Sequence, residues 1–168
     1  MIINRENKYN GYFKIDEITV KSRGREIKKE VMIRKNAVAA IIYNTITEKY
    51  IFVSQWRPGS SSDLLELVAG TLDKETEDPR DAIIREIYEE IGYKTDNIKL
   101  IDECYMSPGG TTEVITIYYC EVSEQVHPGG GLEEEGEDIK IVEMDIKEVL
   151  STRFKDAKTI IGVNYIKK

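Results

Sequence analysis

The sequence predicts an α+β protein or a mixed-sheet sandwich, on three observations. Apolar runs of strand length are separated by turn chemistry along all 168 residues. The stretch 79–91 carries helix signals at both ends, and helical patterns return at 145–151 and about 156–166. The resulting order, β-β-β-β-β-α-β-β-β-α, is neither a strict strand–helix alternation nor an all-β array. There is no internal repeat, low-complexity tail or obvious linker, and the length suits one domain with a real core.

Each element has a local reason. Residues 12–20, YFKIDEITV, read as a strand, KSRGRE as a turn and IKKEVMI as a second strand, so the chain opens on a β-hairpin. AVAAIIYN and YIFVSQW are buried strands joined by the polar turn TITEK, with Trp56 read as core in preference to a pocket wall. RPGSSSD is a loop, and LLELVAG a short strand ending at Gly70. Asp78 is a good N-cap, Pro79 fits the first helical position, Asp81 completes a capping-box-like pair and Gly92 terminates the helix. NIKLIDECYM, the turn SPGG and EVITIYYCEV follow as a β-like region. HPGGGLEEEGED is a glycine- and acid-rich loop, in which His127, the single histidine, reads as ordinary surface. IKIVEM is the last strand.

Composition excludes several classes. Net charge is −7 with no basic stripe, which argues against a nucleic-acid partner. The longest apolar run, AVAAIIY, is far too short to span a bilayer, and MIINRENKYN lacks the apolar region of a signal peptide. Cys104 and Cys120 lie in strand-like stretches without metal-ligand spacing and read as reduced core thiols, so a cytoplasmic location without membrane association is expected.

The chemistry begins with REIYEEIG, residues 85–92. At about 100° per residue, Ile83, Ile84, Ile87, Tyr88 and Ile91 share one arc, while Glu86, Glu89 and Glu90 gather around Ala82 on the other side. Crowded carboxylates repel. Either that face is merely solvated, or a divalent, oxygen-loving cation such as Mg²⁺ removes the repulsion.

GTLDKETEDPRDAIIREIYEEIG, residues 70–92, resembles the signature box of the Nudix hydrolases, G-x5-E-x7-R-E-U-x-E-E-x-G, where U is a bulky apolar residue. Glu77 and the run from Arg85 to Gly92 fit without a gap; the departure is one extra residue between Gly70 and Glu77. SQWRPGS, ELVAG, YMSPGGTTE, GGGLEEEGEDI and KDAKTIIGVNYI resemble the branch that hydrolyses nucleoside diphosphate sugars, which includes ADP-ribose and GDP-mannose pyrophosphatases. The glycine triplet and GVNYI look closer to the GDP-mannose enzymes.

The resemblance implies a Nudix fold, with a mixed β-sheet sandwiched between helices and an N-terminal β-hairpin extension. It implies a segment 1–35 exchanged in a homodimer, ahead of a Nudix domain at 36–168. It implies Mg²⁺, replaceable by Mn²⁺, held by Glu86, Glu90, Glu137 and the backbone carbonyl of Ala69. Glu89 belongs to the same cluster, Glu135 is the general base and Arg85 positions the glutamates. Arg57, Glu66, the Ser107–Gly110 turn with Gly109, and Glu113 are the implied nucleotide-sugar contacts. Two other readings stand beside this one: a Nudix hydrolase of another nucleoside diphosphate derivative, such as a dinucleoside polyphosphate or damaged nucleotide, and a nucleotide-binding Nudix module without catalysis.

Overall fold

The computed structural model describes residues 1–74, 76–132, 136 and 138–167. In chain order the strands are β1 (Ile2–Asn10), β2 (Lys14–Ser22), β3 (Arg25–Ile33), β4 (Ala37–Asn44), β5 (Lys49–Arg57), β6 (Ser62–Glu66), β7 (Val68–Thr71), β8 (Tyr93–Tyr105), β9 (Val114–Gln125) and β10 (Lys140–Met144). The helices are α1 (Pro79–Glu86), which continues as a π-helical turn over Ile87–Ile91, α2 (Ile146–Ser151) and α3 (Ala157–Ile166).

Strand β4 organises the core. The main sheet runs β10-β5-β4-β9-β8, with β6 beside β5 and β7 beside β4. It is mixed, because β4 pairs parallel with β9 and antiparallel with β5 and β7. Successive strand side chains point to opposite faces. Val38, Ala40 and Ile42 therefore share a cluster with Ile83, Ile87 and Ile91. Ala39 and Ile41 share another with Val149 of α2 and Val163 of α3. Helices thus cover both faces, and the run Ala37 to Ile42 is continuously apolar for that reason. Gly162 lets α3 lie close: a methyl there would stand 2.9 Å from Leu67 Cδ1 and 3.3 Å from Ile41 Cβ.

The N-terminal extension is larger than the expected hairpin. β2 and β3 form that hairpin, but β1 adds a third antiparallel strand to a separate sheet. The residues of β1 are exposed throughout, so no buried face imposed the alternation that would mark it in the sequence. Strand LLELVAG also divides. β6 pairs with β5 and β7 with β4, and at the break the Leu67 N–H donates to Thr159 Oγ1 at 3.0 Å. Trp56 is 60% exposed rather than core, because it lies near the end of β5, opposite Asp63 of the short β6.

The central helix begins and ends near the expected residues. Asp78 Oδ1 accepts from the Arg80 N–H at 2.8 Å, so the cap bond serves Arg80 and not Asp81. Gly92 ends the π-helical turn at φ 74°. Of the apolar arc, Ile83, Ile87 and Ile91 are buried, whereas Ile84 and Tyr88 are exposed. The buried strip also takes in Ala82, Glu86 and Glu90: the helix is turned toward its glutamates, and one flank of the apolar arc is left outside. Both cysteines are free, Cys120 buried and Cys104 half-buried. Among the described residues no helix is long and apolar enough to cross a membrane.

Candidate active site

The site is built where α1 meets β7. Glu86 is 8% exposed and Glu90 1%, one helical turn apart. Glu86 packs directly on the backbone of Gly70: a Cβ at residue 70 would stand 1.9 Å from Glu86 Oε1 and 2.0 Å from its Cδ. Glycine is needed there for space. Ala69, whose carbonyl is an expected ligand, is the preceding residue of β7 and pairs with Ala39.

Arg85 gathers the surrounding acids. Its guanidinium donates to Glu86 Oε1 at 2.8 Å, Glu89 Oε2 at 3.1 Å, Glu77 Oε1 at 3.3 Å and the Thr71 carbonyl at 3.3 Å. Partial burial works against its charge, but the bonds to Glu77, Glu86 and Glu89 outweigh that and raise its pKa. Glu77 also accepts from the Asp73 N–H, so the loop with its extra residue still returns Glu77 to Arg85. Burial pushes the Glu77 carboxyl up; the Asp73 and Arg85 bonds overcome this and hold it below its usual value.

Arg57 and Glu66 meet across β5 and β6. Arg57 Nε and Nη2 donate to the two Glu66 oxygens at 3.0 and 2.9 Å, a bidentate pair. Burial opposes the Arg57 charge, but Glu66, and then the charges of Glu90 and Asp156, leave its pKa raised. Lys158 of α3 also donates to the buried Glu66 carboxylate and pairs with Asp156 at 3.1 Å. Lys158 was not singled out from the sequence; its only local signal is its place just after Asp156, the N-cap of α3.

Ser107, Gly109, Gly110 and Glu113 stand elsewhere, at the junction with the N-terminal sheet. The Gly110 carbonyl accepts from the Met32 N–H at 2.8 Å, and Glu113 pairs with Arg34 at 3.0 Å. Beside them a cleft of ≈ 900 Å³ is lined by Tyr12, Phe13, Lys14, Arg34, Lys35 and residues 71–74 among others. His127 is half-buried rather than ordinary surface. Its Nδ1 accepts from the Gly129 N–H at 3.1 Å, and its ring meets Tyr88 edge-on with centroids 4.4 Å apart. Glu135 and Glu137 lie outside the described residues. Among the described residues no three His, Cys, Asp or Glu side chains are drawn together as a ready metal cage. The donor set nevertheless fits a hard divalent cation: carboxylates one helical turn apart, nearly buried, with one seated in the space above a glycine.

The NUDIX domain family matches residues 33–161. The chain belongs to the Nudix family. This Nudix chain is 32% identical over 174 residues to a GDP-mannose pyrophosphatase of Escherichia coli O9:H4 (strain HS), covering 94% of this chain and 89% of the relative. It is 33% identical to a GDP-mannose pyrophosphatase of Salmonella arizonae, with the same coverage. The crystal structure of an ADP compounds hydrolase shares the fold, with a TM-score of 0.81 and 20% identity over 99% of this chain and 91% of that one. The protein is a Nudix hydrolase of the pyrophosphohydrolase kind, a family that typically uses a divalent metal.

Proposed function

We propose that this Nudix hydrolase splits the pyrophosphate bridge of nucleoside diphosphate sugars, with GDP-mannose preferred over ADP-ribose. The observation that carries the chemistry is Glu86 seated on Gly70 and held by Arg85, beside buried Glu90. The substrate class follows from the named relatives, which match along nearly the whole chain. Glu86, Glu90, Glu137 and the Ala69 carbonyl would hold Mg²⁺ or Mn²⁺. Bound there, the metal neutralises diphosphate oxygens and acidifies water. Glu135 takes a proton from water as its oxygen bonds to one phosphorus and the bridging P–O bond breaks. A nucleoside monophosphate and a sugar phosphate leave. Arg85 keeps Glu86 and Glu89 in place, and Arg57 and Glu66 meet the substrate as one charged unit. Ser107, Gly109, Gly110 and Glu113 border the end nearer the N-terminal sheet.

We further propose that the chain works as a homodimer. Segment 1–35 packs on a partner subunit and helps to form its base pocket. The support is a three-stranded sheet whose outer strand is exposed along its whole length.

The decisive assay offers a panel of nucleotide sugars with Mg²⁺ or Mn²⁺ and follows phosphate released by an added phosphatase. GDP-mannose is expected to give the highest kcat/KM. An efficiency for ADP-ribose more than about tenfold higher would reverse the preference, since about 1.4 kcal/mol of transition-state binding would then favour it. No hydrolysis of any diphosphate would return the chain to a binding module.

A further inference from the structure

The helix that carries Glu86, Glu89 and Glu90 is closed by a segment distant in sequence, residues 125–131. A helix leaves its last carbonyls without partners of its own. Here the carbonyls of Glu89, Glu90, Ile91 and Gly92 accept, in that order, from the Gly131 N–H at 3.3 Å, the Gly130 N–H at 2.8 Å, Gln125 Nε2 at 3.3 Å and the Val126 N–H at 2.7 Å. One short run thus takes four successive carbonyls.

Glycine makes this approach feasible. Gly129, Gly130 and Gly131 have φ of 69°, 113° and 82°, a region that L side chains avoid. A methyl on Gly129 would stand 2.5 Å from the Glu90 carbonyl oxygen and 2.6 Å from Ile91 Cα. A methyl on Gly92 would stand 1.9 Å from the His127 carbonyl oxygen. The contact is therefore backbone against backbone on both sides. It also falls on the π-helical turn over Ile87–Ile91, where the helix departs from 3.6 residues per turn. Returning that turn to regular geometry would rotate Glu90 relative to Glu86.

We propose that residues 125–131 are a positioning strap for the metal-binding glutamates. By holding the carbonyls of Glu89 and Glu90, the strap sets where the two side chains project relative to Glu86 and Gly70, and so sets the affinity for divalent metal. This rests on the reading of Glu86 and Glu90 as ligands.

The test measures Mn²⁺ affinity by electron paramagnetic resonance without substrate, so that it is read apart from turnover. Gly129→Ala is expected to weaken Mn²⁺ binding about tenfold or more, from positive-φ strain and the forced shift of Glu90. Gln125→Met removes one donor with little change of shape and is expected to weaken it about fivefold, the worth of one hydrogen bond. Gly24→Ala strains the turn between β2 and β3 of the N-terminal sheet, at φ 76° with open space around it, and is expected to leave Mn²⁺ affinity unchanged. Wild-type affinity in both Gly129→Ala and Gln125→Met, beside a weakened Glu86→Gln, overturns the strap alone. Wild-type affinity in Glu86→Gln overturns the ligand reading and the strap with it. If Gly129→Ala does not fold, Gln125→Met decides.

Discussion

Glu86 is confined by a side chain that is missing. Its carboxylate fills the place a Cβ at residue 70 would occupy, 1.9 Å from Oε1. Gly70→Ala must push Glu86 off β7, and overpacking of this kind costs about 1–3 kcal/mol. Mn²⁺ titration and thermal unfolding of Gly70→Ala should show metal affinity and stability falling together. The other acids separate by role. Glu86→Gln and Glu90→Gln each take a charge from the metal's surroundings, so metal affinity and turnover are expected to fall in parallel. Glu135→Gln should bind metal and substrate almost normally and lose roughly 100- to 10,000-fold in turnover, the usual worth of a general base. Near-normal turnover in Glu135→Gln would place the base elsewhere, with Glu89 or another loop acid such as Glu134 next in line.

Elements are joined by charge as well as by apolar contact. Glu66 on β6 receives Arg57 from β5 and Lys158 from α3, and Lys158 reaches back to Asp156, which caps α3 through the Thr159 N–H. Thr159 Oγ1 in turn accepts from Leu67, at the break between β6 and β7. Removing a buried acid shared by two cations strips Arg57 of its bidentate partner and leaves Lys158 with Asp156 alone. Glu66→Leu is expected to cost about 3 kcal/mol, below the upper end for fully buried networks because Arg57 keeps some contact with water. Urea unfolding measures the loss. The double variant Glu66→Leu, Lys158→Met should recover part of it, since it removes a cation that has lost one of its two acidic partners. Strict additivity of the two changes would show that the pair does not couple.

For the whole molecule, two consequences can be measured. The Glu77 carboxyl is held below its ordinary value of 4.5 in the folded state. Its contribution to stability is therefore complete above that value and is lost as pH falls through the lower, folded value. Glu77→Gln should narrow the stability difference between pH about 6 and pH about 3, read from urea midpoints. The second concerns assembly. The N-terminal sheet meets the main body through β3, where Met32 exchanges backbone bonds with Gly110 and Thr112. Its outer strand is exposed along its whole length. Removing 1–35 should abolish the dimer and raise KM, as checked by light scattering and steady-state rates. An active dimer after that deletion would sink the exchange.

The sequence alone determined what depends on neighbours along the chain. Asp78, Pro79 and Gly92 bound the helix because caps act within a turn. The unbroken apolar run Ala37 to Ile42 marks a strand buried on both faces. The box spacing marked Glu86, Glu89 and Glu90 for the same local reason. Tertiary structure decided what depends on contacts between distant residues. Ile84 and Tyr88 share an arc with Ile87 yet are exposed, because the sheet covers only the strip that includes Glu86 and Glu90. Strand β1 exists because β2 offers it an edge. Lys158 meets Glu66 across 92 positions of sequence, and the Gly130 N–H meets the Glu90 carbonyl from well outside its own element. Periodicity reports the turn a residue belongs to; only packing reports what stands opposite it.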